Sequence, residues 1–108
     1  MISWQEFEKV NLRIGTIIKV DDFPEAKKPA YKLEIDFGEF GIKKSSAQIT
    51  QLYKKEDLIG KQIIAVTNFP PKQVANFISE CLVTGFITEN GVVLATIDKK
   101  TKNGLKLL

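Results

Sequence analysis

The residues of this chain with chemical reach are few, and they gather in three places. Lys32, Lys43, Lys44 and Ser46 fall within alternating stretches, Asn68 stands directly before Phe69-Pro-Pro71, and Ser79, Glu80 and Cys81 follow one another. Cations along a strand can track phosphates, while compact hydroxyl and amide groups at strand ends hydrogen-bond sugars and base edges. That is binding chemistry. Catalysis is poorly equipped, because the 108 residues include no histidine and a single cysteine. Ser-His and Cys-His nucleophile pairs, histidine general bases and histidine-bound metals are excluded, as is a thiolate zinc cluster. Glu34 and Asp36 sit at strand spacing and read as surface charges rather than as an acid–base pair. We expect no enzyme, no cofactor and no metal.

The candidate contact set is Lys32, Lys43, Ser46, Asn68, Ser79, Glu80 and Cys81, and several members have a second reading. Lysines on a solvated strand face need no ligand to explain them, and alternation leaves the direction of Lys44 open. Asn68 either meets a ligand or caps the turn before the prolines. Glu80 either accepts from an exocyclic amine of a base or orients a lysine. Cys81 has nothing beside it in sequence to lower its pKa and reads first as a small packing residue. Phe69 and Phe77 flank the Pro-Pro loop, where each could stack a base, pack the loop or grip an extended peptide. For one of them the core reading leads. Arg13 reads first as an ion-pair partner and second as a phosphate contact.

Around these residues the chain alternates as short strands do. Ser3 with Glu6 three positions on has the spacing of a reciprocal helix cap, and Ile2, Trp4 and Phe7 give that turn an apolar side. From Val10 to Val20, alternation puts Val10, Leu12, Ile14, Thr16, Ile18 and Val20 on one face, with Gly15 opposite as a bulge or bend. Tyr31 to Phe37 forms a second strand and Ile42 to Ala47 a third. Lys54 to Ile59 is a helical turn closed by Gly60, and Gln62 to Thr67 reads as a covered fourth strand. Ile78 to Ile87 reads as a fifth, with Asn90-Gly91 as the hairpin turn to Val92–Ile97. The expected fold is all-β: a five-stranded Greek-key barrel of the OB type. A short N-terminal helix precedes it, and one small helix lies between strands three and four.

We read residues 1–108 as one domain. Sixteen Lys and Arg against thirteen Asp and Glu give a net charge of +3, which permits a nucleic-acid partner without requiring one. No apolar run approaches the roughly 20 residues of a membrane span, and the acidic start Met1–Glu8 is unlike a signal peptide, so we expect a cytoplasmic protein. The apolar residues near the two ends, Ile2, Trp4, Phe7, Leu105, Leu107 and Leu108, either plug the barrel or form a subunit contact. The second reading leads, making Ile2, Trp4, Phe7, Leu105 and Leu107 the candidate dimer interface.

Taken in order, Val10-Asn-Leu-Arg-Ile-Gly-Thr-Ile17, Phe23-Pro-Glu-Ala26, Tyr31-Lys-Leu-Glu-Ile-Asp-Phe-Gly38, Asn68-Phe-Pro-Pro71, Ser79-Glu-Cys-Leu82 and Asn103-Gly104 resemble the tRNA-binding domain family. This family occurs as an appendage of some aminoacyl-tRNA synthetases and as small free-standing dimers. Lys28–Leu33, Lys43–Thr50 and Asn68–Gln73 are most similar to its free-standing CsaA type, a secretion-related chaperone. The resemblance implies an OB-fold homodimer that binds tRNA, with unfolded export proteins as further partners. The alternative makes unfolded polypeptide the main ligand, gripped near Phe69 and Phe77. The chain departs from the family pattern at Phe23, in place of a histidine, and at Ala75-Asn76, where a glycine is frequent. It departs again at Lys43–Ser46, in place of an apolar stretch.

Overall fold

A computed structural model describes all of residues 1–108. The Ser3 hydroxyl accepts from the Glu6 N–H at 3.2 Å, and the Glu6 carboxylate accepts from the Ser3 N–H at 3.1 Å. This reciprocal cap starts α1 (Trp4–Glu8), and Lys9 ends it. The long strand β1 (Leu12–Asp22) then serves two partners. Its first half pairs with β4 (Gln62–Val66) and its second with β2 (Tyr31–Asp36). With β3 (Ile42–Ala47) beside β2 and β7 (Leu82–Val83) beside β4, the antiparallel order is β3-β2-β1-β4-β7. The sheet curls until the chain just before β7 meets β3, where the Glu80 N–H donates to the Lys44 carbonyl at 2.7 Å. This is the near-closed five-stranded OB barrel. Between β3 and β4, α2 (Lys55–Leu58) inserts Leu58 into the core beside Ile17, Leu33, Ile35, Phe37 and Ile63. Gly60, at φ +84°, turns the chain into β4.

Expectations for β1 and for the last strands need correction. In β1 the core face carries Gly15 and Ile17, whereas Ile18 is exposed and Leu12, Ile14 and Thr16 are only half-buried. A register shift between Ile17 and Lys19 then returns Val20 to the core side. The cause is volume. A Cβ on Gly15 would come within 2.5 Å of Ile35 Cγ2 and 2.7 Å of the Phe37 ring, so the glycine marks a close approach. The bulge falls at Ile18 instead.

The fifth strand, expected from Ile78 to Ile87, is broken into β6 (Phe77–Ser79), β7 and β8 (Gly85–Thr88). The breaks fall where side chains take over the bonding. Ser79 and Glu80 do so at the first; at the second, the Thr84 hydroxyl and N–H both donate to the Ile64 carbonyl, at 2.7 and 3.0 Å. Strand β6 folds back on β5 (Lys72–Val74), which begins after the Pro-Pro pair leaves the sheet. Strand β8 pairs with β9 (Gly91–Leu94), which stops short of Ile97. The turn there is Glu89-Asn90, one residue earlier than expected, with Gly91 opening β9 at φ +133°.

Ala75, in the β5–β6 turn, is the single non-glycine residue at positive φ (+52°). A side chain there strains the backbone. Ala75→Gly is therefore expected to raise stability by about 0.5–1 kcal/mol, net of glycine's greater freedom when unfolded. A higher urea midpoint at unchanged slope would show this, and a lower midpoint would refute it.

The C-terminal segment occupies the edge of β1 that β2 leaves open. The Gly104 N–H donates to the Ile14 carbonyl at 2.7 Å, the Ile14 N–H to Leu105 at 3.1 Å, and the Leu107 N–H to Leu12 at 2.8 Å. Asn103 anchors this segment, its Oδ1 accepting from Thr16 Oγ1 and from Gln62 Nε2, both at 2.9 Å.

Candidate nucleic-acid interface

Register decides which polar residues share a face. Lys32 lies opposite Ser46 and Glu34 opposite Lys44, whereas Leu33 lies opposite Ser45 and Ile35 opposite Lys43. Leu33, Ile35 and Ser45 are buried, so Lys32, Lys44 and Ser46 are on the outward face. Lys43 has the inward parity. Lys32 and Lys43 therefore do not form one track, and Lys44 is the lysine that accompanies Lys32.

The Ser79-Glu80-Cys81 tripeptide closes the barrel against β3. Ser79 Oγ accepts from the Ser46 N–H at 3.1 Å, and Glu80 Oε1 accepts from the Lys44 N–H at 2.9 Å. Ser45 Oγ donates to the Cys81 carbonyl at 2.9 Å. Ser79 thus lies across β3 from Lys32, beside Ser46, but its hydroxyl and the Glu80 carboxylate already hold backbone groups. Cys81 is packed into the barrel core. Burial pushes its thiol from 9.0 up to about 11, against smaller opposing effects of the Ser45 hydrogen bond and the Lys43 charge. The unfolded thiol ionises first as pH rises, so this residue removes stability between about pH 9 and 11. At pH 8 Cys81 is expected to react with an aromatic disulfide far more slowly than the urea-unfolded chain does. Equal rates would contradict a protonated, covered thiol.

Asn68 is a tie between the N-terminal segment and the Pro-Pro loop. Its Nδ2 donates to the Lys9 carbonyl at 2.6 Å and its Oδ1 accepts from the Asn11 N–H at 2.9 Å. Arg13, read first as an ion-pair partner, makes no ion pair. Its guanidinium stacks 3.9 Å over the Phe40 ring and donates to the Gly104 carbonyl at 2.8 Å. Phe77 packs edge-on against buried Phe23, with ring centres 5.6 Å apart, and the Lys32 ammonium lies 5.5 Å over that same Phe23 ring. Phe69 remains exposed.

Beside the outward face of β3 runs a groove. One part, of about 470 Å³, is bounded by Ser46, Gln48, Lys72, Val74, Ser79 and Val92. A second, of about 360 Å³, lies under Glu25–Lys28 and again includes Ser46, Gln48 and Val74. The sequence reading missed Lys28, Gln48 and Lys72. Gln48 was within its reach, since 44, 46 and 48 continue one alternation. A separate concavity of about 410 Å³ is walled by Phe69, Pro70, Lys72, Glu80 and Leu82. At the termini, Ile2, Trp4, Leu105 and Leu107 are exposed and Phe7 half-buried, so these residues do not plug the barrel. Trp4, Phe7 and Leu107 instead border a shallow depression of about 280 Å³. No helix is long and apolar enough to cross a membrane.

Residues 12–106 match the family described as "Putative tRNA binding domain". The chain superposes on the crystal structure of the CsaA chaperone protein from Picrophilus torridus with a TM-score of 0.95 and 58% identity, covering 100% of both chains. Chaperone CsaA from Bacillus anthracis str. Ames gives a TM-score of 0.94 at 51% identity, over 100% of this chain and 99% of that one. The methionine–tRNA ligase of Methanocaldococcus jannaschii is 35% identical over 101 residues, which are 93% of this chain and 15% of the ligase. The chain thus spans about one seventh of the length of the curated relatives it matches.

Proposed function

This chain belongs to the tRNA-binding domain family, and from that premise we propose that it is a non-enzymatic, homodimeric tRNA-binding protein of the cytoplasm, acting as one domain. One observation carries the reading. Lys32, Lys44 and Lys72 flank Ser46 and Ser79, and none of their ammonium groups is paired with a carboxylate, since the ion pairs of the chain involve only Lys19 and Lys55. Unneutralised cations beside a groove suit a polyanion. We assign phosphate contact to Lys32, Lys44 and Lys72, with Ser46 offering a hydroxyl and Lys43 a second approach from the barrel rim. Asn68, Ser79, Glu80 and Cys81 act by holding this surface in shape. The exposed residues Ile2, Trp4, Leu105 and Leu107, with Phe7, supply the apolar contact for a second copy.

Titration with deacylated tRNA at several salt concentrations tests this directly. Neutralising about six phosphates gives a log–log slope of roughly −4 to −5. Mass measured alongside is expected to be that of a dimer. A nearly flat salt response removes the tRNA reading, and a monomer at working concentration removes the dimer.

A second reading, a holder of unfolded export proteins, draws on the concavity at Phe69, Pro70 and Leu82, where Phe69 and Leu82 are both exposed. It favours an apolar side chain of an extended peptide. Lys72 and Ser79 border both this concavity and the groove, so the two ligands would compete. Salt-tolerant capture of an unfolded polypeptide, lost in Phe69→Ser, is the result this reading requires.

A further inference from the structure

We infer that Gln48 is the base-reading residue of a subsite for single-stranded RNA, placed where the groove along β3 passes between the Glu25–Ala30 loop and the two hairpins. The inference rests on the tRNA reading and narrows it to unpaired nucleotides.

Three concavities meet at this one side chain. The first runs toward Lys72 and Ser79, the second under Glu25–Lys28, and a third, of about 340 Å³, toward Thr50, Ile87 and Thr88 of the β8–β9 side. Gln48 is exposed and makes no hydrogen bond within the chain. Two polar groups nearby are engaged, Gln73 Nε2 donating to the Ala75 carbonyl at 3.0 Å and Thr88 Oγ1 to the Gly91 carbonyl at 2.6 Å. Ser46, Thr50 and Gln51 line the same concavities, whereas Gln48 alone borders all three. A free carboxamide carries an acceptor and two donors side by side, the pattern needed to pair with the edge of a base.

The surroundings fix what kind of base can enter. Val74 and Val92 flank Gln48, and no aromatic ring lines any of the three concavities. A base held there lies between aliphatic walls, and its identity is sensed through its edge rather than by stacking. Lys28 borders two of the concavities and has no carboxylate partner, so its ammonium can take an adjoining phosphate. Glu25, the one carboxylate on these walls, is turned to Asn76 Nδ2 at 3.4 Å. Duplex RNA keeps its pairing edges occupied and its major groove too deep and narrow for a side chain. The fitting occupant is a short unpaired stretch.

The test uses fluorescent single-stranded heptamers of A, C and U, a blunt RNA duplex and deacylated tRNA. Each is titrated against the whole chain and its Gln48→Ala and Lys28→Ala variants. The wild-type chain is expected to prefer one heptamer over the others by roughly tenfold. Gln48→Ala compresses that preference to about twofold at unchanged salt slope, whereas Lys28→Ala weakens all heptamers alike and flattens the slope by about 0.7. Retained preference in Gln48→Ala, or a duplex bound as tightly as the best heptamer, overturns the subsite. If tRNA binds steeply but the heptamers are not discriminated, this inference alone falls. If no RNA binds, the tRNA reading falls with it. Both side chains are exposed and unbonded, so circular dichroism and the urea midpoint serve to show that the variants stay folded.

Discussion

Replacing Lys32, Lys44 and Lys72 together by alanine is expected to weaken tRNA binding about a hundredfold at moderate salt and to flatten the log–log slope by about 2 to 3. Each ammonium that meets a phosphate releases close to one counterion, so three lost contacts remove three such contributions. Neither Lys44 nor Lys72 is held in an ion pair, and Lys32 loses only its position over the Phe23 ring. The cost to stability is therefore small, about 1 kcal/mol or less. Lys43→Ala makes the informative contrast. Opposite Ile35 on the inward side of β3, it is expected to change affinity by no more than about threefold. A triple variant that binds with the original slope would show that tRNA, if bound, lies elsewhere on the molecule.

The second large effect is on the fold itself. Gly15→Val is expected to lower the unfolding free energy by roughly 3 kcal/mol. The first carbon added would sit 2.5 Å from Ile35 Cγ2 and 2.7 and 2.8 Å from two atoms of the Phe37 ring. Ile35 and Phe37 are both fully buried, so neither can swing into solvent to make room. Shortening the opposing side chain relieves part of the clash. Gly15→Val with Phe37→Leu is expected to be more stable than the sum of the two single changes predicts, the sign of coupling between residues in contact. Urea unfolding of the four proteins measures this. A Gly15→Val midpoint equal to that of the original chain would mean that the close approach is absent.

Local signals in the sequence located most elements, and the misses have specific physical causes. Ser3 and Glu6 define their helix start because both partners of the cap lie within one turn. Strand β2 is legible because Tyr31, Leu33 and Ile35 are inward and alternate with Lys32, Glu34 and Asp36. In β1 alternation points to the face of Leu12, Ile14 and Ile18, yet Gly15 and Ile17 on the more polar face are the residues that meet the core. The reason lies in Phe37, which is distant in sequence and fills the space over Gly15. In sequence, Glu80 reads as a base contact or as the orienter of a lysine. Its reason is the Lys44 backbone N–H, 36 positions away, which no local pattern announces. Asn68 is similar, since its two partners are backbone groups of Lys9 and Asn11. The fold was thus more readable than the site, whose members are set by long-range register.

The barrel's last joint lies along the groove. One backbone bond, from the Glu80 N–H to the Lys44 carbonyl, and single side-chain bonds of Ser79, Glu80 and Ser45 stitch it in place of a continuous ladder. A polymer lying across that joint works as a buckle, fastening the two margins from outside while it is held by them. Occupancy and rigidity would then be one property: the loaded shell is expected to withstand more heat than the empty one, in proportion to how tightly it is strapped.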